Sequence, residues 1–227
     1  MNPGTGERAL ADIVAGIALP DAECELVEEL RTGSERAFAS LLSTYEKPIY
    51  SFVYRLLDDS SEAPDVTQEV FLKVFRNIGE FRGECSLKTW IYRIALNEAS
   101  NLRRWFWRHR RQLLSLDQKP EHGAASLAET LADAQENQYE LLLRRERMQV
   151  IERALAQVPE NFRVAVVLRD IEGLSYDEIA EVLEISAGTV KSRILRGRGA
   201  LKQALAAASA GRVSALGPAA VESAYDV

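Results

Sequence analysis

The segment from Leu174 to Lys202, LSYDEIAEVLEISAGTVKSRILRGRGALK, constrains the fold of this chain more than any other part. Ser175 followed three residues later by Glu178 is a capping-box pattern, which predicts that a helix begins there. Ser186 can cap a second helix shortly afterwards. Apolar residues recur at helical spacing along both segments: Ile179, Val182 and Leu183 in the first, Val190, Ile194 and Leu201 in the second. The segment predicts a helix-turn-helix.

The second helix of this pair is cationic on its outer face. Residues 185 to 202 contain five basic residues and no acid: Lys191, Arg193, Arg196, Arg198 and Lys202. A helix that is apolar on one side and cationic on the other suits the DNA major groove. An ordinary solvated face is the alternative interpretation. The motif by itself does not separate a repressor, a response-regulator output domain and an initiation factor.

Charge is distributed unevenly along the chain, although the net charge is only −6. Residues 81 to 112 hold eight Lys and Arg against two acids, and residues 117 to 140 hold six acids against one Lys. The two basic regions are therefore separated by an acidic bridge. This pattern predicts two separate contacts with nucleic acid.

Helical periodicity dominates the remaining sequence, so we expect an all-α protein with two small helical domains joined by a flexible linker. The expected boundaries are a mobile N-terminal extension at 1–24, a first domain at 25–112, an acidic linker at 113–138, a helix-turn-helix domain at 139–206 and a disordered tail at 207–227. Within the first domain, Pro48 is expected to kink or divide a long helix. Phe75 is expected to face inward.

Several functional classes are not supported by the sequence. No apolar run is long enough to span a bilayer, and no secretory signal is present, so we expect a cytoplasmic protein without direct membrane insertion. The two Cys and two His have no ligand spacing, so neither a metal nor a cofactor is expected. Because no catalytic constellation is present, we do not expect an enzyme.

Two further groups of residues form patterns that core packing does not explain. Asp65, Gln68 and Glu69 share one face of a predicted helix, which could dock a basic surface of a protein partner or simply be solvated. Downstream, a loop and the helix after it combine aromatic, cationic and amide side chains, a combination that binds single-stranded nucleic acid: Phe81, Arg82, Lys88, Trp90, Arg93 and Asn97. For Trp90 we favour a place in the core. The run NLRRWFWRHRRQ at 101–112 continues this basic region.

These residues resemble a known family. The segments RAFASLLSTYEKPIYSFVYRLL and PDVTQEVFLKVFRNIGEFRGECSLKTWIYRIALNEASNLRR are similar to the −10-reading domain of bacterial sigma-70 factors. The segment LAQVPENFRVAVVLRDIEGLSYDEIAEVLEISAGTVKSRILRGRGALK is similar to their −35-reading domain. Both halves occur in family order over about residues 26 to 205. The chain therefore resembles the two-domain extracytoplasmic-function (ECF) class, close to its RpoE-like branch.

The resemblance implies partners and residue roles. Asp65, Gln68 and Glu69 would bind the beta-prime clamp of core RNA polymerase, whose beta flap is a second expected contact. Promoter DNA at −10 would be bound by Phe81, Arg82, Lys88, Arg93, Asn97, Asn101, Arg103 and Arg104, with Asn97 reading a flipped base through its amide. Promoter DNA at −35 would be bound by Lys191, Ser192, Arg193, Arg196 and Arg198, the last through phosphate.

A cognate anti-sigma factor is also implied by the resemblance. Two alternatives to the sigma-factor hypothesis stay open at this point. One is a two-domain helix-turn-helix transcriptional repressor, which would bind promoter duplex without polymerase. The other is an all-helical protein-interaction adaptor, which would lack the steep salt-dependent DNA affinity that phosphate contacts require.

Overall fold

The computed structural model describes residues 21–57, 59–113 and 138–215, and no β-strand occurs within these ranges. The all-α prediction is confirmed for this part of the chain. Residues 1–20 of the predicted extension, 114–137 of the predicted linker and 216–227 of the predicted tail lie outside the described residues, as does residue 58.

The first half of the chain forms four α-helices: α1 (Asp21–Arg31), α2 (Glu35–Leu56), α3 (Ala63–Asn77) and α4 (Leu87–Leu113). Two of them begin at serine caps, because Ser34 Oγ accepts the Ala37 N–H at 3.3 Å and Ser86 Oγ accepts the Thr89 N–H at 3.1 Å. Helix α1 begins at Asp21 and therefore includes residues that the sequence assigned to the N-terminal extension.

The sequence predicted a kink or a division at Pro48; helix α2 continues through this residue, so it is not divided there. Leu41 precedes Pro48, Ile49 and Phe52 follow it, and all three are fully buried. Burying side chains of this size contributes about 1.5–3 kcal/mol each. That gain outweighs the roughly 3 kcal/mol that an interior proline costs a helix, so the two halves of α2 remain one element.

The second half forms α5 (Gln138–Ala156), α6 (Glu160–Val166), α7 (Tyr176–Leu183) and α8 (Ala187–Ala215). A π-helical segment, Val167–Ile171, extends α6. Helix α8 continues to Ala215, into the 207–227 segment that was expected to be disordered. The stretch ALAAASA at residues 204–210, which leads into this segment, is rich in alanine, the residue with the highest intrinsic helix propensity.

The two halves share one continuous buried core. In the first half, the Phe52 ring packs edge-on against Tyr92 with centroids 5.2 Å apart. In the second half, Leu168, Leu174 and Ile179 are fully buried. Helices α2 and α4 of the first half contact helices of the second half directly. The two predicted domains are thus docked against each other.

Candidate nucleic-acid interface

The helix-turn-helix begins at the predicted capping box. Ser175 Oγ accepts the Glu178 N–H at 3.2 Å, and the Glu178 carboxylate accepts the Ser175 N–H at 2.7 Å. Ser186 Oγ accepts the Thr189 N–H at 3.3 Å and so caps α8. Both caps predicted from the sequence are confirmed. Val190 and Ile194 on the inner face of α8 are buried, as predicted.

Two backbone features position α8, one at its turn from α7 and one where it crosses α6, and neither was singled out in the sequence. Glu184 adopts a left-handed conformation, with φ at 54°, and turns the chain between α7 and α8. At Gly197, a β-carbon would lie 2.5 Å from Val166 Cγ2 and 2.9 Å from Phe162 O. Only glycine allows α8 to pass this close to α6 without displacing an atom.

The outer face of α8 carries the predicted −35 residues. Lys191, Ser192 and Arg196 are exposed, and Arg193 is half-buried. Arg198 is also exposed, but it forms a two-point ion pair with Asp170, at 2.9 Å from Nε and 2.5 Å from Nη2. Arg198 therefore has an internal partner that a phosphate contact would have to replace.

An exposed leucine lies in the middle of this cationic face. The Leu195 side chain is 74% exposed, while its neighbour Ile194 is buried. Leu195 does not share the helical spacing of the buried Val190 and Ile194. That difference was the sequence signal that could have predicted its exposure. Exposed apolar groups on a recognition helix can contact a thymine methyl group, so Leu195 extends the candidate DNA-contacting surface beyond the predicted residues.

The acidic face of α3 has the predicted arrangement. Asp65 and Gln68 are exposed, and Glu69 lies 3.8 Å from Arg76 in an ion pair. Val66 and Val70 are buried on the opposite side. Phe75 was expected inward, but it is 51% exposed and contacts Phe38 edge-on.

An apolar groove of about 830 Å³ adjoins the acidic face of α3. Its walls include Phe38 and Leu42 from α2 and Phe71 and Leu72 from α3. Leu72 is 39% exposed. An exposed apolar surface beside carboxylates is typical of a site where another protein segment binds.

The predicted −10 residues are divided by the structure into three groups. Arg82, Asn97, Asn101 and Arg104 are exposed. Phe81 is buried and packs on Trp90 with ring centroids 5.2 Å apart, so in this conformation its ring is not available to stack on a base. The side chains of Lys88, Arg93 and Arg103 are partly buried and bonded to other groups of the protein.

Comparisons with known proteins match both halves of this arrangement. Residues 41–112 match the Sigma-70 region 2 family model, and residues 148–201 match the Sigma-70, region 4 model. The chain is 39% identical over 189 residues to the RNA polymerase sigma-H factor of Pseudomonas aeruginosa, covering 80% of this chain and 92% of that protein. The chain belongs to the extracytoplasmic-function sigma factors. The resemblance seen in the sequence is confirmed.

A second relative agrees with this assignment, and two solved structures share the fold. The ECF RNA polymerase sigma-E factor of Escherichia coli K12 is 35% identical over 183 residues, covering 78% of this chain and 90% of the relative. CnrH, solved with the cytosolic domain of CnrY, has a TM-score of 0.59 at 23% identity and covers 82% of this chain and 99% of that one. RpoE of Bartonella quintana, solved with the anti-sigma factor NepR, has the same TM-score and identity and covers 74% and 96%. The two solved structures establish the fold.

In this sigma factor, region 4 lies against three cations that were predicted to bind −10 DNA. Lys88 Nζ donates to the Glu172 carbonyl at 3.1 Å, and Arg93 Nη2 donates to the Glu181 carbonyl at 3.0 Å. Arg103 forms an ion pair with Glu160. The sequence contained no signal for these contacts, because their partners lie 57 to 88 residues further along the chain.

Glu172 has the most extensive contacts of the region 4 residues at this boundary. Its carboxylate accepts a hydrogen bond from the Tyr92 hydroxyl at 2.6 Å and one from Ser51 at 3.4 Å. Burial raises the pKa of the Glu172 carboxyl, and the Tyr92 hydrogen bond and the Arg55 charge oppose that rise. Burial likewise lowers the pKa of the Arg55 guanidinium. Both groups have lost hydrating water, so their charged forms are stabilised by each other and by neighbouring polar groups.

Neither a metal site nor a membrane span was identified in the part of the chain that the structure describes. No three His, Cys, Asp or Glu side chains cluster there in a way that could hold a metal ion. No helix in these ranges combines the length and apolar character needed to cross a bilayer.

Proposed function

We propose that this ECF sigma factor binds core RNA polymerase through the acidic face of α3 and the groove beside it. Region 2 then binds the opened −10 strand, and region 4 reads the −35 duplex. The protein contributes no catalytic step and acts in the cytoplasm, where polymerase and promoter meet.

The outer face of α8 is the observation that carries this proposal. Its inner face is fixed by the buried side chains of Val190 and Ile194, so the exposed Lys191, Ser192 and Arg196 are presented on a rigid helix. A rigid helix gives an arginine the fixed position it needs to bond a guanine edge at two points. Side chains on a mobile segment would lose more entropy on binding.

The face of α3 supports a separate contact with a protein. Asp65 and Gln68 are exposed beside Leu72 and the apolar groove, so charge and apolar surface are offered together. Protein interfaces combine an apolar centre with a polar rim in this way. We assign this face to core polymerase and infer that an anti-sigma factor inhibits the protein by covering the same groove.

Transcription in vitro with purified core polymerase and a promoter library tests the proposed function. The double variant Asp65→Lys with Glu69→Lys reverses two charges on α3 and is expected to abolish holoenzyme formation. Its matched control is Glu25→Lys with Glu29→Lys, which places the same changes at the same spacing on exposed positions of α1. The control is expected to form holoenzyme normally.

Arg196→Ala tests the −35 assignment separately. It should weaken promoter binding by roughly 1–3 kcal/mol, the value of a good two-point contact with a base, while core binding is unchanged. Equal loss of core binding would contradict the assignment. Absence of promoter-specific initiation from every promoter in the library would contradict the proposed function as a whole.

A further inference from the structure

We propose that helix α1 is a functional part of the −10 interface. Its residues Arg31 and Glu23 are positioning residues that fix the two ends of the loop at residues 81–86, which presents Arg82 to the opened strand. The inference rests on the proposed function for the role of Arg82. It goes beyond that function, because α1 lies outside residues 41–112, the part that matches the region 2 model.

Arg31 fixes the start of the loop. Its Nη2 donates to the Phe81 carbonyl, fifty residues further along the chain. Its Nη1 donates to the Glu28 carboxylate at 2.6 Å, one turn earlier on α1. Because the donors of a guanidinium form a rigid planar fork, these two simultaneous bonds place the Phe81 carbonyl at a defined position relative to α1.

Glu23 fixes the end of the loop, where α4 begins. Its carboxylate accepts the Leu87 N–H across 64 positions of sequence. The first N–H groups of a helix have no acceptor within the helix, and the cap Ser86 accepts the Thr89 N–H instead. A carboxylate suits this end of a helix, because the helix dipole places partial positive charge there. Glu23 therefore completes the cap of α4 from another helix.

The helix that carries both residues is anchored in the core. Val27 and Leu30, which lie between Glu23 and Arg31 in the sequence, are buried. Helix α1 also contacts α2 and the short 3-10 turn Ile78–Glu80, which directly precedes the loop. Both bonds to the loop therefore come from a rigid support. A loop that is fixed at both ends has fewer conformations to lose when it binds a strand.

The loop between these two bonds combines buried and exposed side chains. Phe81 and Cys85 are buried, whereas Arg82 and Glu84 are exposed. Gly83 lies between the exposed pair with φ at +72°, a conformation that favours glycine. Because the buried side chains and the bonds to α1 fix the backbone around it, Arg82 is presented to solvent in a defined direction.

Direct contact of α1 with DNA is the alternative, and charge separates it from the proposal. Glu23 is an acid, so removal of its charge should tighten the binding of a strand if only electrostatic repulsion matters. If Glu23 positions the loop, removal of its hydrogen bond should weaken binding instead. The two explanations therefore predict opposite signs for the same substitution.

Hydrogen exchange at the Leu87 amide of the free full-length chain tests the contact in the absence of DNA. Glu23→Ala should make this amide exchange about tenfold faster, as expected from the loss of a hydrogen bond to a charged group. Glu23→Gln keeps an acceptor oxygen and should retain most of the protection. The matched control, Glu25→Ala, removes the same charge from an exposed position of the same helix and should leave the exchange rate unchanged.

Binding of a fluorescent single-stranded oligonucleotide measures the effect on −10 recognition. The protein is holoenzyme reconstituted from the full chain and core polymerase, and the probe carries the non-template −10 sequence of a promoter selected from the library. Glu23→Ala and Arg31→Ala should each bind the probe about three- to tenfold more weakly. Glu23→Gln should restore most of the affinity, and Glu25→Ala should bind at least as tightly as the wild type.

Salt dependence separates a positioning role of Arg31 from a phosphate contact. Loss of one phosphate contact would lower the slope of log K against log salt concentration by about 0.7 for a single strand. Arg31→Ala should instead weaken binding with the slope unchanged. Binding of −35 duplex should be the same in all variants, because region 4 is untouched.

The outcomes separate this inference from the proposed function. Tighter strand binding by Glu23→Ala, or an unchanged exchange rate at Leu87, would overturn the role of Glu23. A lower salt slope in Arg31→Ala would make Arg31 a phosphate ligand, and equal loss of −35 binding would show a general defect in folding; either result would overturn its positioning role. Failure of the wild-type holoenzyme to bind any −10 strand would overturn the proposed function together with this inference.

Discussion

Gly197 shows how one residue controls the position of the DNA-reading helix. The backbone of α8 crosses α6 there at a distance that leaves no room for a β-carbon beside Val166 and Phe162. The same crossing fixes the direction in which Lys191 and Arg196 project. A position inside a helix that would otherwise favour alanine is therefore occupied by glycine for a tertiary reason.

Gly197→Ala should destabilise the protein by about 1–3 kcal/mol, because the new methyl group overpacks the crossing. Gly199→Ala is the matched control on the same helix, since a β-carbon there meets no atom within 4 Å. The control should be neutral or more stable by up to about 1 kcal/mol, as expected from helix propensity. Urea denaturation measures both, and equal effects would contradict the close crossing.

At the scale of elements, the turn between α7 and α8 depends on an unusual backbone conformation. Glu184 is the only non-glycine residue with positive φ among the described residues. The Glu184 N–H bonds to the Ala180 carbonyl, and the Ile185 N–H bonds to the same carbonyl at 3.1 Å. The turn is thus stabilised by hydrogen bonds that offset the strain of a left-handed residue.

Glu184→Gly should stabilise the turn by roughly 0.5–1 kcal/mol, because glycine adopts the left-handed conformation without the steric cost that other residues have. Asp177→Gly, in the first turn of α7 with an ordinary helical backbone, should instead destabilise by about the same amount. Hydrogen exchange of the α7 amides reports both effects. A loss of exchange protection in Glu184→Gly would show that the Glu184 side chain, rather than its backbone conformation, stabilises the turn.

Helix α4 combines several functions in one element. Its inner face contributes Ile91 and Tyr92 to the core, and its outer positions present Asn97 and Arg104 to solvent. Lys88 and Arg93 lie at the boundary and bond to region 4. Docking of region 4 therefore engages two side chains that were predicted to bind −10 DNA.

At the scale of the whole molecule, the docked arrangement should respond to pH through partly buried carboxyls. The pKa of Glu172 is raised by burial, and the groups that face it are Tyr92, Arg55 and Lys88, with the Ser51 hydroxyl. Burial also raises the pKa of Glu152, which faces Arg55, and that of Glu181, which faces Arg93.

Lowering the pH should therefore favour docking. A carboxyl whose pKa is higher in the docked chain than in the open chain binds its proton more tightly when docked. The free energy of docking therefore becomes more favourable as pH falls toward the raised pKa of Glu172. Above that pKa, the ionised carboxylate stabilises docking less than the protonated carboxyl does. Glu172→Gln is the control: its amide can still accept the Tyr92 hydrogen bond but does not titrate.

The distance between spin labels on cysteines placed at Arg36 and Gln203, in a Cys24→Ser background, tests this dependence when it is followed in the free chain between pH 8 and pH 5. The wild-type chain should become more uniformly closed as pH falls, and Glu172→Gln should change less over the same range. Equal pH dependence in the two proteins would show that Glu172 does not provide the linked proton.

The sequence by itself determined the local elements and the family. Caps at Ser175 and Ser186, the buried stripe of α8 and the exposed Asp65 and Gln68 follow from spacing and capping chemistry, which act over a few residues. The exposed cationic face of α8 could be predicted for the same reason, since its residues lie on one helix.

Only the tertiary structure decided which of these residues are available. Phe81 is buried against Trp90, Phe75 is exposed, and Pro48 does not divide α2, because packing against distant helices outweighs local preference. The contacts of Glu172 with Tyr92 and Lys88 join residues some eighty positions apart. No periodicity or motif reports contacts at that separation, since they depend on how two complete domains meet.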